Sequence, residues 1–140
     1  MQKNTNEYLI SSEKDMYDIE FPIVDWDRIL FYGDLGSGKS TFIRHILRKY
    51  SNNPNLIVRS PTYTYYQRYQ IGNLNILHCD LYRLDDYNAW ISLWWEELIQ
   101  DNNILLVEWP EILGNNISPT KKVIIEILED EKRKISIITI

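Results

Sequence analysis

Three glycines, a lysine and three hydroxyl side chains fall within residues 33–41, GDLGSGKST. Gly33, four intervening residues, Gly38, Lys39 and Ser40 satisfy the pattern G-x-x-x-x-G-K-[ST] at every defined position. A loop of this kind works mainly with its backbone. Amide N–H groups turn inward around phosphate oxygens, and glycine removes the Cβ atoms that would block the approach. Asp34, Leu35, Gly36 and Ser37 supply the intervening amides, and Thr41 follows Ser40 into the next element. A helix starting near Gly38 adds unpaired donors and the positive end of its dipole. Lys39 brings a charge to the β- and γ-phosphates, and the Ser40 hydroxyl a ligand for Mg²⁺. The stretch therefore reads as a nucleotide polyphosphate site, against the blander alternative of a glycine-rich turn with a solvated lysine.

A phosphate cradle also needs acids to anchor a metal and position the attacking group. In open α/β sheets such groups lie at the carboxyl ends of strands. Two apolar runs end that way: ILHCD delivers Asp80, and ILLVE delivers Glu108. The alternative for each is a surface acid just past a strand. RSPTYT places Ser60, Thr62 and Thr64 after the first helix, where nucleotide switches sense the γ-phosphate. The same residues suit an ordinary β-branched strand, and the sequence leaves both open. His78 reads as a packed strand residue in preference to a general base, and Cys79 as packing. Trp90, Trp94 and Trp95 read as core or helix face, with a partner-binding patch as the alternative.

The elements that must hold these residues follow from periodicity. RILFY, 28–32, is a buried strand ending in glycine, and 39–50 carries Phe42, Ile43, Ile46, Leu47 and Tyr50 on one helical stripe. Residues 12–21 suggest a weak helix after a capping serine, and 62–71 and 74–80 two strands about Gly72-Asn73. Residues 85–99 suit a helix, 103–111 a buried strand, and 121–140 a closing hairpin. Three strand–helix crossovers and a β tail predict an α/β layered fold with a mostly parallel central sheet and added antiparallel strands.

Composition narrows the classes. At 140 residues the chain suits one domain, residues 1–140. Its net charge of −5 argues against a broad DNA- or RNA-gripping surface. One cysteine cannot form an internal disulfide, no signal peptide is evident, and no apolar run nears the roughly 18 residues of a membrane span. The expectation is a cytoplasmic protein without a membrane or DNA partner.

With these pieces placed, the chain resembles the TsaE family, small P-loop ATPases of bacterial tRNA threonylcarbamoyladenosine biosynthesis. The likeness runs from about residue 29 onward and rests on GDLGSGKST, on SPTYT followed by Tyr69, on HCDLYRL and on LLVEWPE. It implies a three-layer P-loop NTPase fold and an ATPase, weak alone, that uses ATP and Mg²⁺. It also implies two protein partners, TsaB and TsaD, with tRNA met only through the assembly. By carry-over, residues 33–41 hold the triphosphate and Ser40 the metal. Glu108 is a metal-associated carboxylate that helps orient water, Asp80 the other essential acid, and Ser60 and Thr62 switch hydroxyls. Trp109 packs beside the site, and Arg133 matches a C-terminal basic position. Met16 stands where the family has a threonine that approaches the nucleotide, Ser37 replaces the usual alanine, and Ser40 the usual threonine. A small-molecule kinase would need an arginine-bearing lid for which there is little room, and no N-K-x-D motif supports GTP. A nucleotide-gated adaptor with negligible turnover would use the same residues and stays open.

Overall fold

The computed structural model describes residues 4–61, 63–92 and 95–140. Its strands are β1 (Asn4–Ile10), β2 (Arg28–Tyr32), β3 (Tyr66–Ile71), β4 (Leu74–Asp80), β5 (Ile104–Glu108), β6 (Lys121–Ile127) and β7 (Arg133–Thr139). Its α-helices are α1 (Glu13–Tyr17), α2 (Lys39–Ser51), α3 (Tyr87–Ile91) and α4 (Trp95–Gln100). One mixed sheet runs β1-β7-β6-β2-β5-β4-β3. The four central strands, β6, β2, β5 and β4, are parallel, while β7 and β1 on one side and β3 on the other add antiparallel pairings.

The parallel strands are apolar because helices cover both faces. Alternation sends Ile29 and Phe31 of β2, Ile76 of β4, and Ile104 and Leu106 of β5 toward α2, where Phe42, Ile43, Ile46 and Leu47 meet them. Leu30, Leu77, Cys79, Leu105 and Val107 face the other way and pack on Trp90 of α3 and Leu98 of α4. Trp90 is therefore core, and Trp95 stacks on it with ring centroids 6.1 Å apart. Trp94 lies outside the described residues, as does Thr62.

Several elements depart from expectation. Polar, mostly exposed β1 has no hydrophobic period to betray it, and exists because the edge of β7 pairs with it along its whole length. α1 has its Ser12 cap but stops at Tyr17, so only Met16 of the helix is buried. The expected strand 62–71 begins at Tyr66, because Tyr65 takes a left-handed φ of 69° in a preceding turn. The helix over 85–99 is two short ones, and the first starts at Tyr87 because the Asp86 carboxylate caps the amide of Ala89. β5 ends at Glu108, since Trp109 turns left-handed (φ 54°) into a 3-10 turn at Pro110–Leu113. That turn occupies part of the link to β6, a stretch for which the sequence predicts no element of its own. Tyr50, on the predicted stripe of α2, is exposed at the last turn.

Candidate nucleotide site

β2 delivers the chain to the loop at the carboxyl edge of the sheet. Gly33 must be small there: a Cβ would lie 2.5 Å from the Ser37 hydroxyl and 2.8 Å from the Ile125 carbonyl. Gly38 precedes α2 in the left-handed region (φ 109°) and gives the helix no side-chain cap. The first amides of α2 thus keep the donor capacity that a helix start leaves unmet. The Ser37 hydroxyl is buried and has no hydrogen-bond partner among the described residues.

Lys39 opens α2 yet is only 5% exposed. Its ammonium curls back to donate to the Gly33 carbonyl, and to that of Asp34 at 3.2 Å. It also lies 4.2 Å from the centroid of the Trp109 ring, in cation–π contact. Burial holds this ammonium below the usual lysine value, although Glu108, Asp80, Glu111 and Asp34 pull the other way. A buried cation satisfied by two neutral carbonyls is poised to trade them for an anion.

The acids arrive by register. β4 and β5 pair in parallel with Asp80 beside Glu108, so the last residues of two neighbouring strands come out together. Both side chains are buried. Ser40 donates its hydroxyl to Glu108, 2.8 Å from Oε1 and 2.9 Å from Oε2. Asp80 accepts the Tyr82 amide at 3.0 Å through Oδ1. Residues 35–41, Asp80, Glu108 and Trp109 together line a hollow of about 270 Å³. A second cavity of about 240 Å³ adjoins it, sharing Gly36, Ser37, Gly38 and Thr41 and adding Ser11, Ser12, Met16 and Arg133.

Most of the residues singled out in the sequence therefore converge. Leu35 through Thr41, Asp80 and Glu108 line the hollow, whereas Gly33 and Asp34 stand behind it and hold Lys39 by their carbonyls. Ser60 is exposed and does not contribute to that lining. Two participants were not foreseen as such. His78, read as packing, contacts Glu108 at 2.7 Å; its only sequence signal is the two-residue spacing that puts it on the face of β4 shared with Asp80. Arg133 reaches from the start of β7 to the loop, donating to the Ser37 carbonyl at 3.2 Å and the Gly36 carbonyl at 3.4 Å.

The site fits a polyphosphate with its cation. At Gly33 the loop has no room for a Cβ, and a hydroxyl with carboxylates offers the hard oxygen donors that Mg²⁺ takes alongside phosphates. Among the described residues no three His, Cys, Asp or Glu side chains gather into a metal-holding group by themselves.

A family model described as "Threonylcarbamoyl adenosine biosynthesis protein TsaE" matches residues 5–135. The chain belongs to the TsaE family. Among its TsaE relatives, each described as a tRNA threonylcarbamoyladenosine biosynthesis protein, that of Rickettsia felis is 40% identical, aligned over 81% of this chain and 66% of its own. That of Aquifex aeolicus is 32% identical over 94% of both, and that of Bacillus subtilis 30% identical over 79% of this chain and 68% of its own. The chain thus spans just under two thirds of the Rickettsia felis protein and nearly all of the Aquifex one. The crystal structure of Bacillus subtilis YdiB shares the fold, with a TM-score of 0.70 at 19% identity over 99% of this chain and 88% of that one. No helix among the described residues is long and apolar enough to cross a membrane.

Proposed function

We propose that this TsaE chain is a single P-loop ATPase domain, which binds ATP with Mg²⁺ and hydrolyses it. In this reading it serves the tRNA threonylcarbamoyladenosine machinery together with TsaB and TsaD. The observation that carries the reading is the Ser40–Glu108 contact beside Lys39. It joins the end of the phosphate loop to a strand-end acid inside one hollow.

The chain's own groups divide the work. The amides of residues 35–41 and the start of α2 take the phosphate oxygens. Lys39 leaves the Gly33 and Asp34 carbonyls for the β- and γ-phosphates, where its charge meets the negative charge that develops during transfer. Ser40 and Glu108 would hold Mg²⁺, which when bound would neutralise phosphate charge. Glu108 also orients the attacking water, with Asp80 as the second acid at the same edge of the sheet. Trp109 closes one wall against Lys39 and itself packs on Tyr82, with ring centroids 4.9 Å apart. The adjoining cavity under Met16 and Arg133 is where we place the base and ribose.

Phosphate release from the wild type and Glu108→Ala, each with and without TsaB and TsaD, tests this reading. Partner-stimulated release that disappears in Glu108→Ala is the expected result. No release from the wild type under any condition would replace the enzyme with a nucleotide-gated adaptor.

A further inference from the structure

Glu108 has two holders, and they belong to different parts of the molecule. The Ser40 hydroxyl approaches both carboxylate oxygens almost equally, at 2.8 and 2.9 Å, so its single hydrogen is shared and fixes the group's orientation poorly. Ser40 also lies on α2, at the loop that must take ligand, and is itself assigned to the cation. The other holder is His78, whose Nε2 lies 2.7 Å from Oε2. It sits on β4, the strand hydrogen-bonded to β5 all the way to Glu108, and its side chain is fully buried.

The His78 ring is an expensive way to fill that space. Nδ1 is buried with no hydrogen-bond partner among the described residues, and an unmet polar atom costs stability that an aliphatic side chain would not. Ile76, two residues earlier on the same face, shows that the layer accepts aliphatic packing. What the ring does that an aliphatic cannot lies at its other nitrogen. With a Glu108 carboxylate oxygen 2.7 Å from Nε2 and no acceptor at Nδ1 among the described residues, the ring proton belongs on Nε2.

We propose that His78 is a positioning residue for Glu108: its Nε2–H, donated from inside the sheet, keeps the carboxylate turned toward the phosphate loop when ligand engages Ser40. The inference rests on the ATPase reading above. It differs from packing because the donor is required, and from a proton-transfer role because His78 reaches the reaction only through Glu108.

The test pairs His78→Leu, which removes the donor, with His78→Gln, whose amide can place one near the position of Nε2. With TsaB and TsaD present, His78→Leu is expected to lower kcat at least tenfold. KM for MgATP and the Kd for a non-hydrolysable ATP analogue should stay within about twofold. His78→Gln should recover most of the loss. Wild-type kcat in folded His78→Leu, a Kd weakened as much as kcat, or His78→Gln no better than His78→Leu would each overturn the assignment.

Ring ¹⁵N spectra give a readout without turnover, since the chain has only two histidines. The buried one should be the Nε2–H tautomer, should shift in Glu108→Gln, and should keep its bonded Nε2–H with Mg²⁺ and the analogue added. An Nδ1–H tautomer, or loss of the bond on ligand addition, would overturn the proposal even if His78→Leu fails to fold. Wild type without phosphate release overturns the ATPase reading and this one with it. Release lost in Glu108→Ala but kept in folded His78→Leu overturns the His78 assignment alone.

Discussion

Lys39 shows how burial can set one side chain against its own charge until an anion comes to meet it. Its ammonium is buried against two carbonyls and an indole face, with burial opposing its charge more than the nearby acids favour it. Two consequences follow, of opposite sense. For folding, a base depressed below its unfolded value destabilises the native state; the penalty is full below the folded pKa and vanishes as pH rises through the unfolded one. For binding, a polyphosphate returns the pKa upward, so nucleotide binding at alkaline pH should take up a proton. Calorimetry in buffers of different ionisation enthalpy should show that uptake in the wild type and not in Lys39→Ala. The same substitution should weaken ATP binding by roughly 10- to 100-fold, the worth of about 1.5–3 kcal/mol for a charged hydrogen-bonding partner; unchanged affinity would remove Lys39 from the cradle. Cys79, one residue before Asp80, is the inert neighbour. It is fully buried, and burial first, then the Asp80 charge, pushes its thiol far above the usual range. It should resist alkylation in the native protein and react on unfolding, as thiol titration with and without denaturant would reveal.

At the scale of elements, what the sequence disclosed depended on whether an element announces itself by its own pattern. β2, α2 and β5 do: apolar runs and a helical stripe put Ile29, Phe31, Ile43 and Leu106 in the core as expected. Asp80 and Glu108 were legible for the same reason, being the first acids after apolar strands. β1 was illegible because most of it is exposed and polar and pairs with β7 along its whole length, while only its end, Tyr8 and Ile10, reaches the core. The contact of His78 with Glu108 was illegible because it depends on the β4–β5 register, which aligns Asp80 with Glu108 and leaves His78 two residues behind. No local signal encodes a register between strands that are separated by two helices. Helix ends fall between these cases, since a cap is local but must compete with alternatives nearby. Asp86 wins at α3, its carboxylate accepting the Ala89 amide at 2.9 Å and fixing the helix that buries Trp90. Asp86→Ala should cost about 1 kcal/mol in denaturant unfolding. ATP affinity should not change, because the cap lies on the face of the sheet away from α2. A loss of affinity equal to the loss of stability would mean that α3 supports the site directly.

Across the whole molecule the two ends of the parallel strands carry different burdens. The carboxyl ends gather the loop, Asp80 and Glu108 around the hollow assigned above to the nucleotide. The amino ends gather charge that is already satisfied. Asp27, just before β2 and 1% exposed, accepts Lys121 Nζ at 2.7 Å and the Val24 amide at 2.8 Å through Oδ2, and the Thr120 hydroxyl at 2.6 Å through Oδ1. Thr120 immediately precedes β6 and Lys121 begins it, so one carboxylate ties the start of β2 to the start of the strand beside it. Removing it leaves the Lys121 ammonium buried without its counter-charge, and breaking such a pair from one side typically costs about 3–5 kcal/mol. Asp27→Ala should therefore rank among the most destabilising single substitutions outside the apolar core. The double variant Asp27→Leu with Lys121→Met should recover much of that loss, because the cost lies in the stranded charge and not in the absence of a salt bridge. Nucleotide affinity of folded Asp27→Ala should match the wild type, since the whole of β2 lies between it and Gly33 and sets it about 20 Å from the phosphate loop. Denaturant unfolding and calorimetry on the single and double variants separate the two burdens. A stability loss in Asp27→Ala matched by an equal loss of ATP affinity would show that the ends of the sheet are coupled, and that the division drawn here between a scaffold end and a working end is wrong.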